Sequence, residues 1–141
     1  MESGTKQSDE IRATLRFVGD NVDPVMITSS IGLQPSRAHA KGDSVKGHPN
    51  RIRSTGLWGL DSAISPNCSL EDHLKHLLGV IESRVSIVEE LRDIGLSPNF
   101  YCGYFAAGAV LRSYIRLETD TLKRIAEIGA SLDLHIYCID D

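Results

Sequence analysis

The segment with the greatest chemical capacity runs from Arg37 to Thr55. It carries five cations, Arg37, Lys41, Lys46, Arg51 and Arg53, against one acid, Asp43, in a chain whose formal net charge is −4. His39 and His48 add titratable donors. Forked guanidinium groups at Arg37 and Arg53, the Lys41 ammonium and exposed glycine amides suit an oxyanion: a phosphate-bearing ligand, an acidic protein surface or nucleic acid. A solvated basic loop on an acidic protein accounts for the same residues. The segment has no glycine-rich phosphate loop and no nucleic-acid motif. Two aromatic residues are candidates to complete such a site. One is Trp58, the single tryptophan; the other is Tyr104, in the run Phe100-Tyr101-Cys102-Gly103-Tyr104-Phe105. Exposed, they mark a partner surface; buried, they are core. The candidate ligand- or partner-binding set is therefore Arg37, His39, Lys41, Arg53, Trp58 and Tyr104.

Other chemistries have weaker support. His73 and His76 stand three apart on a helical segment, a spacing that can bring two imidazoles to one metal. No HExxH pattern and no third ligand accompany them, so helix-surface histidines are the expectation, with no metal and no cofactor. Cys102 with one of the five histidines makes a conceivable nucleophile–base pair, but no signature surrounds it, and no GxSxG is present. No catalytic residue is assigned. Cys68, Cys102 and Cys138 are odd in number and lack a CxxC pair, which suits free thiols in a reducing compartment. No apolar run nears the ~20 residues of a membrane helix, and Met1–Glu10 is polar, without the apolar stretch of a signal peptide. The expected compartment is the cytoplasm. The acidic balance argues against a general nucleic-acid binder.

The positioning elements follow from periodicity. Residues 1–10 read as a flexible tail and 11–141 as one domain, as the length suggests. Ile11–Phe17 alternates apolar with Arg12, Thr14 and Arg16, a half-buried strand. Asp23-Pro24 caps and starts a short helix that Gly32 ends. Ser36–Ala40 and Gly56–Asp61 form a long-looped hairpin around Trp58, with Lys41–Arg53 as its loop. From Ser69 as N-cap, one apolar stripe (Leu70, Leu74, Leu77, Leu78, Ile81, Val85, Val88, Leu91) predicts a long helix to about Ile94, stopped by Gly95. Arg84 falls inside that stripe. Its charge must snorkel out, meet a carboxylate or anchor a ligand, because burying it unpaired is costly. Asn99–Phe105 and Val110–Leu117 read as strands. Asp120–Ile128 reads as a helix with Leu122, Ile125 and Ala126 inward, and Ser131–Ile139 as a last strand.

These residues resemble a known family. The pattern is Phe17-x-Gly19-Asp20, Asp23-Pro24, Gly32-Leu33-x-Pro35-Ser36-Arg37-Ala38, Lys41-Gly42-Asp43, Trp58 and the leucine-rich helix. Near the end come Leu122, Ile125, Gly129, Ser131-Leu132-Asp133-Leu134 and Ile136-Tyr137. Together they resemble the bacterial domain-of-unknown-function family 4279 (DUF4279), over roughly Arg12 to Tyr137. Glu118-Thr119 departs from the family's Ser-Pro helix start. The resemblance implies a bacterial source and a small stand-alone domain, and it supplies no catalytic residues.

The expected fold is α+β: a mostly antiparallel sheet of five or six strands, with a long central helix and two shorter helices on one face. The expected function is that of a small non-catalytic cytoplasmic binding protein that acts through a protein partner, of immunity or regulator type. A small-anion binder built on the basic 37–53 segment, and an enzyme of unrecognised type, stand as alternatives. No membrane and no specific nucleic acid are expected, and a self-pairing sheet edge would give a homodimer.

Overall fold

The computed structural model describes residues 9–107 and 114–139. In chain order the elements are β1 (Glu10–Gly19), α1 (Pro24–Ile31), β2 (Arg37–His39), β3 (Ser44–Val45), β4 (His48–Ile52) and β5 (Gly56–Asp61). There follow α2 (Leu70–Ile81), a 3-10 turn (Glu82–Arg84), α3 (Val85–Asp93), β6 (Asn99–Ala107), α4 (Thr119–Glu127) and β7 (Ser131–Ile139). The main sheet has the order β2-β5-β1-β6-β7, and β3-β4 form a separate two-stranded hairpin. Every main-sheet pairing is antiparallel except β6 with β7, which run parallel because α4 carries the chain back across the sheet. This is the α+β architecture, with one long helical segment over Leu70–Asp93 and two shorter helices.

Alternation decides the two faces. Ala13, Leu15 and Phe17 of β1, Trp58 of β5 and Phe100 and Cys102 of β6 share one face, and all are buried with Ile27, Ile31, Leu74, Leu77, Ile81, Val88 and Ile125 in one core. Arg12, Thr14 and Arg16 point to the opposite face, together with Arg37 and His39 of β2, Asp61, Asn99, Tyr101, Gly103, Phe105, Asp133, His135 and Tyr137. The caps are those the residue types call for. Asp23 accepts from the Met26 amide at 3.2 Å, Ser69 accepts from the Asp72 amide at 3.1 Å, and Gly32 ends α1 at φ 76°.

Four details differ from the sequence expectations. The long helix is interrupted at Glu82–Arg84, where Arg84 turns its guanidinium onto backbone: Nε donates to the Ile31 carbonyl at 2.7 Å and Nη1 to the Val80 carbonyl at 2.9 Å. It takes carbonyls that the end of a helix leaves unpaired, which the wheel projection could not show. Lys41–Arg53 contains the β3-β4 hairpin; β4 is exposed along its whole length, so no burial pattern marks it in the sequence. Of the strand expected at Val110–Leu117, residues 110–113 lie outside the described residues, and 114–117 take no strand conformation. In α4 the inward residues are Thr121 and Ile125, followed by Ile128. Leu122 is 51% exposed and Ala126 is exposed. The helix is docked by Arg124, whose guanidinium donates twice to the Glu82 carboxylate at 2.7 and 2.8 Å. That pairing fixes its rotation.

Candidate functional site

The sequence-selected residues divide between the two faces. Trp58 is fully buried, with its ring 6.0 Å from that of Phe17 and its Nε1 donating to Thr28 Oγ1 at 3.0 Å. Tyr104 is buried on the same side, and its hydroxyl donates to the Asp9 carboxylate. Asp9 also accepts from the Ala107 amide at 2.8 Å, and these hydrogen bonds hold its carboxyl below the usual carboxylate range. Trp58 belongs to the core, whereas Tyr104 lies outside the core cluster and lines a cleft of about 370 Å³ with Asp9, Ile11 and Tyr114. Arg37 lies on the open face, where it donates to both Asp61 oxygens at 2.7 and 2.9 Å and to Thr14 Oγ1 at 3.2 Å. Lys41 turns instead to Asp20 at 3.2 Å. His39 faces the open side on β2, and Arg53 sits in the turn between β4 and β5, its amide bonded to the Asp43 carbonyl at 2.7 Å. Arg37 and Lys41 turn to different carboxylates, Asp61 and Asp20, so the two cations do not converge.

Two other features combine residues that sequence reasoning had left separate. The first is the outer half of the open face. Arg16 stacks over Tyr101 at 4.3 Å from the ring centre, donates to Asn99 Oδ1 at 2.7 Å and lies 3.6 Å from Asp133. Phe105 and Tyr137 stack at 5.0 Å with a 12° interplanar angle, and His135 lies 4.8 Å from Tyr101. This aromatic ladder ends at β7, which pairs only with β6 among the described residues. β7 is the outermost strand and nine residues long. Leu134, Ile136 and Tyr137 are 37%, 60% and 42% exposed, with Leu134 and Ile136 on the helix side. The strand contains no proline, lysine or glycine. Its one charged residue, Asp133, is turned toward Arg16, and a long exposed edge with an apolar face is a template for pairing with another chain.

The second feature is a break in the sheet. Ser62 still donates its amide to the Ala13 carbonyl at 2.9 Å, but the chain then loops away, and the next ladder bond is Ile11 amide to Pro66 carbonyl at 2.7 Å. The loop leaves a cleft of about 220 Å³, lined by Arg12, Thr14, Arg37, Asp61, Ser62 and His73 among others. His73 is 2% exposed, and its Nδ1 lies 2.7 Å from Ser62 Oγ. Its Nε2 is buried with no hydrogen-bond partner. Desolvation lowers its pKa below the ordinary 6.5; the Ser65 carbonyl and Asp72 pull the other way and do not offset it. His73 is therefore not a surface histidine. Arg12 and Thr14 were visible in the sequence as one face of β1, but nothing local joins them to Ser62 and His73.

A stability prediction follows from His73. Its folded pKa lies below its unfolded one, so the unfolded chain takes up the proton first. The contribution is whole above about pH 6.5 and is lost as pH falls through the folded pKa, with a slope of at most about 1.4 kcal/mol per pH unit. Denaturant unfolding at pH 7.5 and 5.5 is expected to show this loss in the wild type and a smaller one in His73→Gln. The carboxylates with lowered pKa, Asp9, Asp20 and Glu82, stabilise above their unfolded values and lose that contribution in a separate window, as pH falls from about 4.5 through their folded pKa values.

Cys102, the cysteine considered above as a nucleophile, is not one in the fold. Cys102 is buried, and desolvation, with a smaller effect from the Asp133 charge, pushes its thiol up to about 12, so it carries almost no thiolate at neutral pH. Among the described residues no helix is long and apolar enough to cross a membrane. No curated protein and no solved structure matches the chain significantly. A family model does match, from residue 9 to residue 139, and it covers every element of the fold; the chain belongs to that family, the domain of unknown function DUF4279.

Proposed function

We propose that the protein is a binding module of the immunity or regulator type that acts through a protein partner, which it engages with the β7 edge and the adjoining aromatic ladder. The single observation that carries this reading is β7 itself, which among the described residues is an outermost strand paired on one side alone, with exposed Leu134, Ile136 and Tyr137. An added strand gains main-chain hydrogen bonds from such an edge. Side chains on alternating faces supply selectivity. Tyrosine and arginine are the residue types that dominate binding energy at protein interfaces, and the ladder places Arg16, Tyr101 and Tyr137 on one face that runs from β1 out to this edge. The proposed setting is the cytoplasm, in keeping with three free cysteines. The small-anion reading of the 37–53 segment has less support, since Arg37 is held by a bidentate pair with Asp61 and by Thr14, and Lys41 turns away from it toward Asp20.

Self-pairing is a second reading with its own support. Antiparallel pairing about a two-fold axis through His135 sets Leu134 against Ile136 of a second copy and keeps the two Asp133 carboxylates apart, opposite Tyr137. The test is a pull-down from a lysate of the source organism at low and high salt, with Ile136→Lys as the edge variant and Lys46→Ala as the control. The expected result is a stoichiometric partner retained by wild type and control and lost from Ile136→Lys. No partner at either salt, or one that Ile136→Lys still retains, contradicts the reading. Sedimentation of the purified chain separates the second reading, which requires a dimer that Ile136→Lys dissociates.

A further inference from the structure

The break between β1 and the Ser62–Pro66 loop is more than a gap in the ladder. It joins the two sides of the sheet, because His73 belongs to α2 on the covered side whereas Arg12, Thr14 and Arg37 project from the open side. A buried imidazole nitrogen without a hydrogen-bond partner is costly, and native structures seldom leave one unless something completes it. His73 Nε2 is such an atom. The cleft also has apolar walls at Ile11, Ile64 and Pro66.

We propose that this cleft is a binding site for a small organic monoanion, a carboxylate that carries a short apolar chain. Arg12 supplies the charge. Its ion pair with Glu10, at 3.1 Å, joins two exposed side chains two residues apart, and such a pair holds little energy. The guanidinium is therefore available to swing over the cleft. Arg37 is committed to Asp61, and that carboxylate, which also lines the cleft, sets the charge limit: a monoanion is tolerated beside it, and a dianionic phosphate is repelled. The neutral Ser62–His73 pair offers one donor at the inner end: with the Ser62 hydroxyl donating to Nδ1, the Nε2–H is left for the carboxylate. The volume, about 220 Å³, is below the range of pockets for drug-sized ligands and suits a chain of a few carbons.

The test uses the intact chain, with acetate, propionate and butyrate as probes and inorganic phosphate as the comparison, followed through the histidine ring resonances by NMR. Butyrate is expected to shift the His73 ring saturably while the His135 ring stays in place. Affinity is expected to rise roughly fourfold per methylene from acetate to butyrate as the apolar walls are filled. Arg12→Gln, an exposed position whose substitution leaves the core untouched, is expected to weaken butyrate at least tenfold, with Lys46→Gln unchanged. Three results would overturn the proposal: a His73 ring that does not respond, equal weakening by Arg12→Gln and Lys46→Gln, or phosphate bound as tightly as butyrate.

Discussion

Replacing Trp58 by alanine is expected to destabilise the fold by about 3–5 kcal/mol, the range for removing a large aromatic from a core. Trp58 is fully buried, lies against Phe17 and ties β5 to α1 through its Nε1 bond to Thr28. The substitution leaves a cavity at the centre of that contact and an orphaned hydroxyl beside it. Domains of this size have ~5–15 kcal/mol in total, so the loss is a large fraction of the whole, and the midpoint of thermal unfolding should fall by roughly 10–20 °C. Equilibrium denaturation measures it. A loss below about 1 kcal/mol would mean that β5 does not pack on α1 through Trp58. Trp58→Phe is expected to cost less, because it keeps most of the ring volume and gives up the Thr28 bond.

Arg84→Met is expected to cost about 2–3 kcal/mol, from two charge-assisted hydrogen bonds lost and two carbonyls left without these donors. Methionine retains the aliphatic stem, so the experiment isolates the guanidinium. Arg84→Lys should recover only part of the loss, because one ammonium does not reproduce a planar fork aimed at the Ile31 and Val80 carbonyls. If Arg84→Met matches the wild type in denaturant, the guanidinium is simply solvated and the bend at Glu82–Arg84 has another cause.

These two residues show what the sequence makes legible. The strand around Trp58 can be read from the sequence, but its facing cannot, because Leu57 is as apolar as Leu60; the pairing of Trp58 with Phe17 of β1 turns it inward. Arg84 is anomalous in the sequence, a charge inside an apolar stripe, and the anomaly is real. Its resolution depends on a carbonyl at Ile31, 53 residues away, and no local pattern encodes that. The caps at Asp23 and Ser69 and the stops at Gly32 and Gly95 are local chemistry, and they stand where residue type puts them. The inward face of α4 is different. Leu122 outranks Thr121 on hydrophobicity, yet the Arg124–Glu82 pair and the burial of Ile125 and Ile128 set a rotation that brings Thr121 in and Leu122 out.

The site residues follow the same rule. The basic segment from Arg37 to Arg53 is plain in the sequence, but where Arg37 and Lys41 point is set by Asp61 and Asp20, which lie outside it. β7 is plain as an alternating strand. Its place at the sheet edge depends on a parallel pairing with β6 across the α4 crossover, and strand order is a non-local property. His73 and Ser62 are eleven residues apart, and only the loop that interrupts the β1–β5 ladder makes them neighbours.

The central claim is that β7 is the surface through which the protein meets its partner. Its most direct measurement is backbone amide hydrogen exchange of the chain, free and bound to the captured partner, resolved along β7. Protection gained over Leu132–Cys138, with little change in β2 or in the β3-β4 hairpin, is the predicted result. Unchanged exchange along β7 together with new protection at β2 or around Arg37–Arg53 would contradict the account and move the interface to the opposite edge of the sheet.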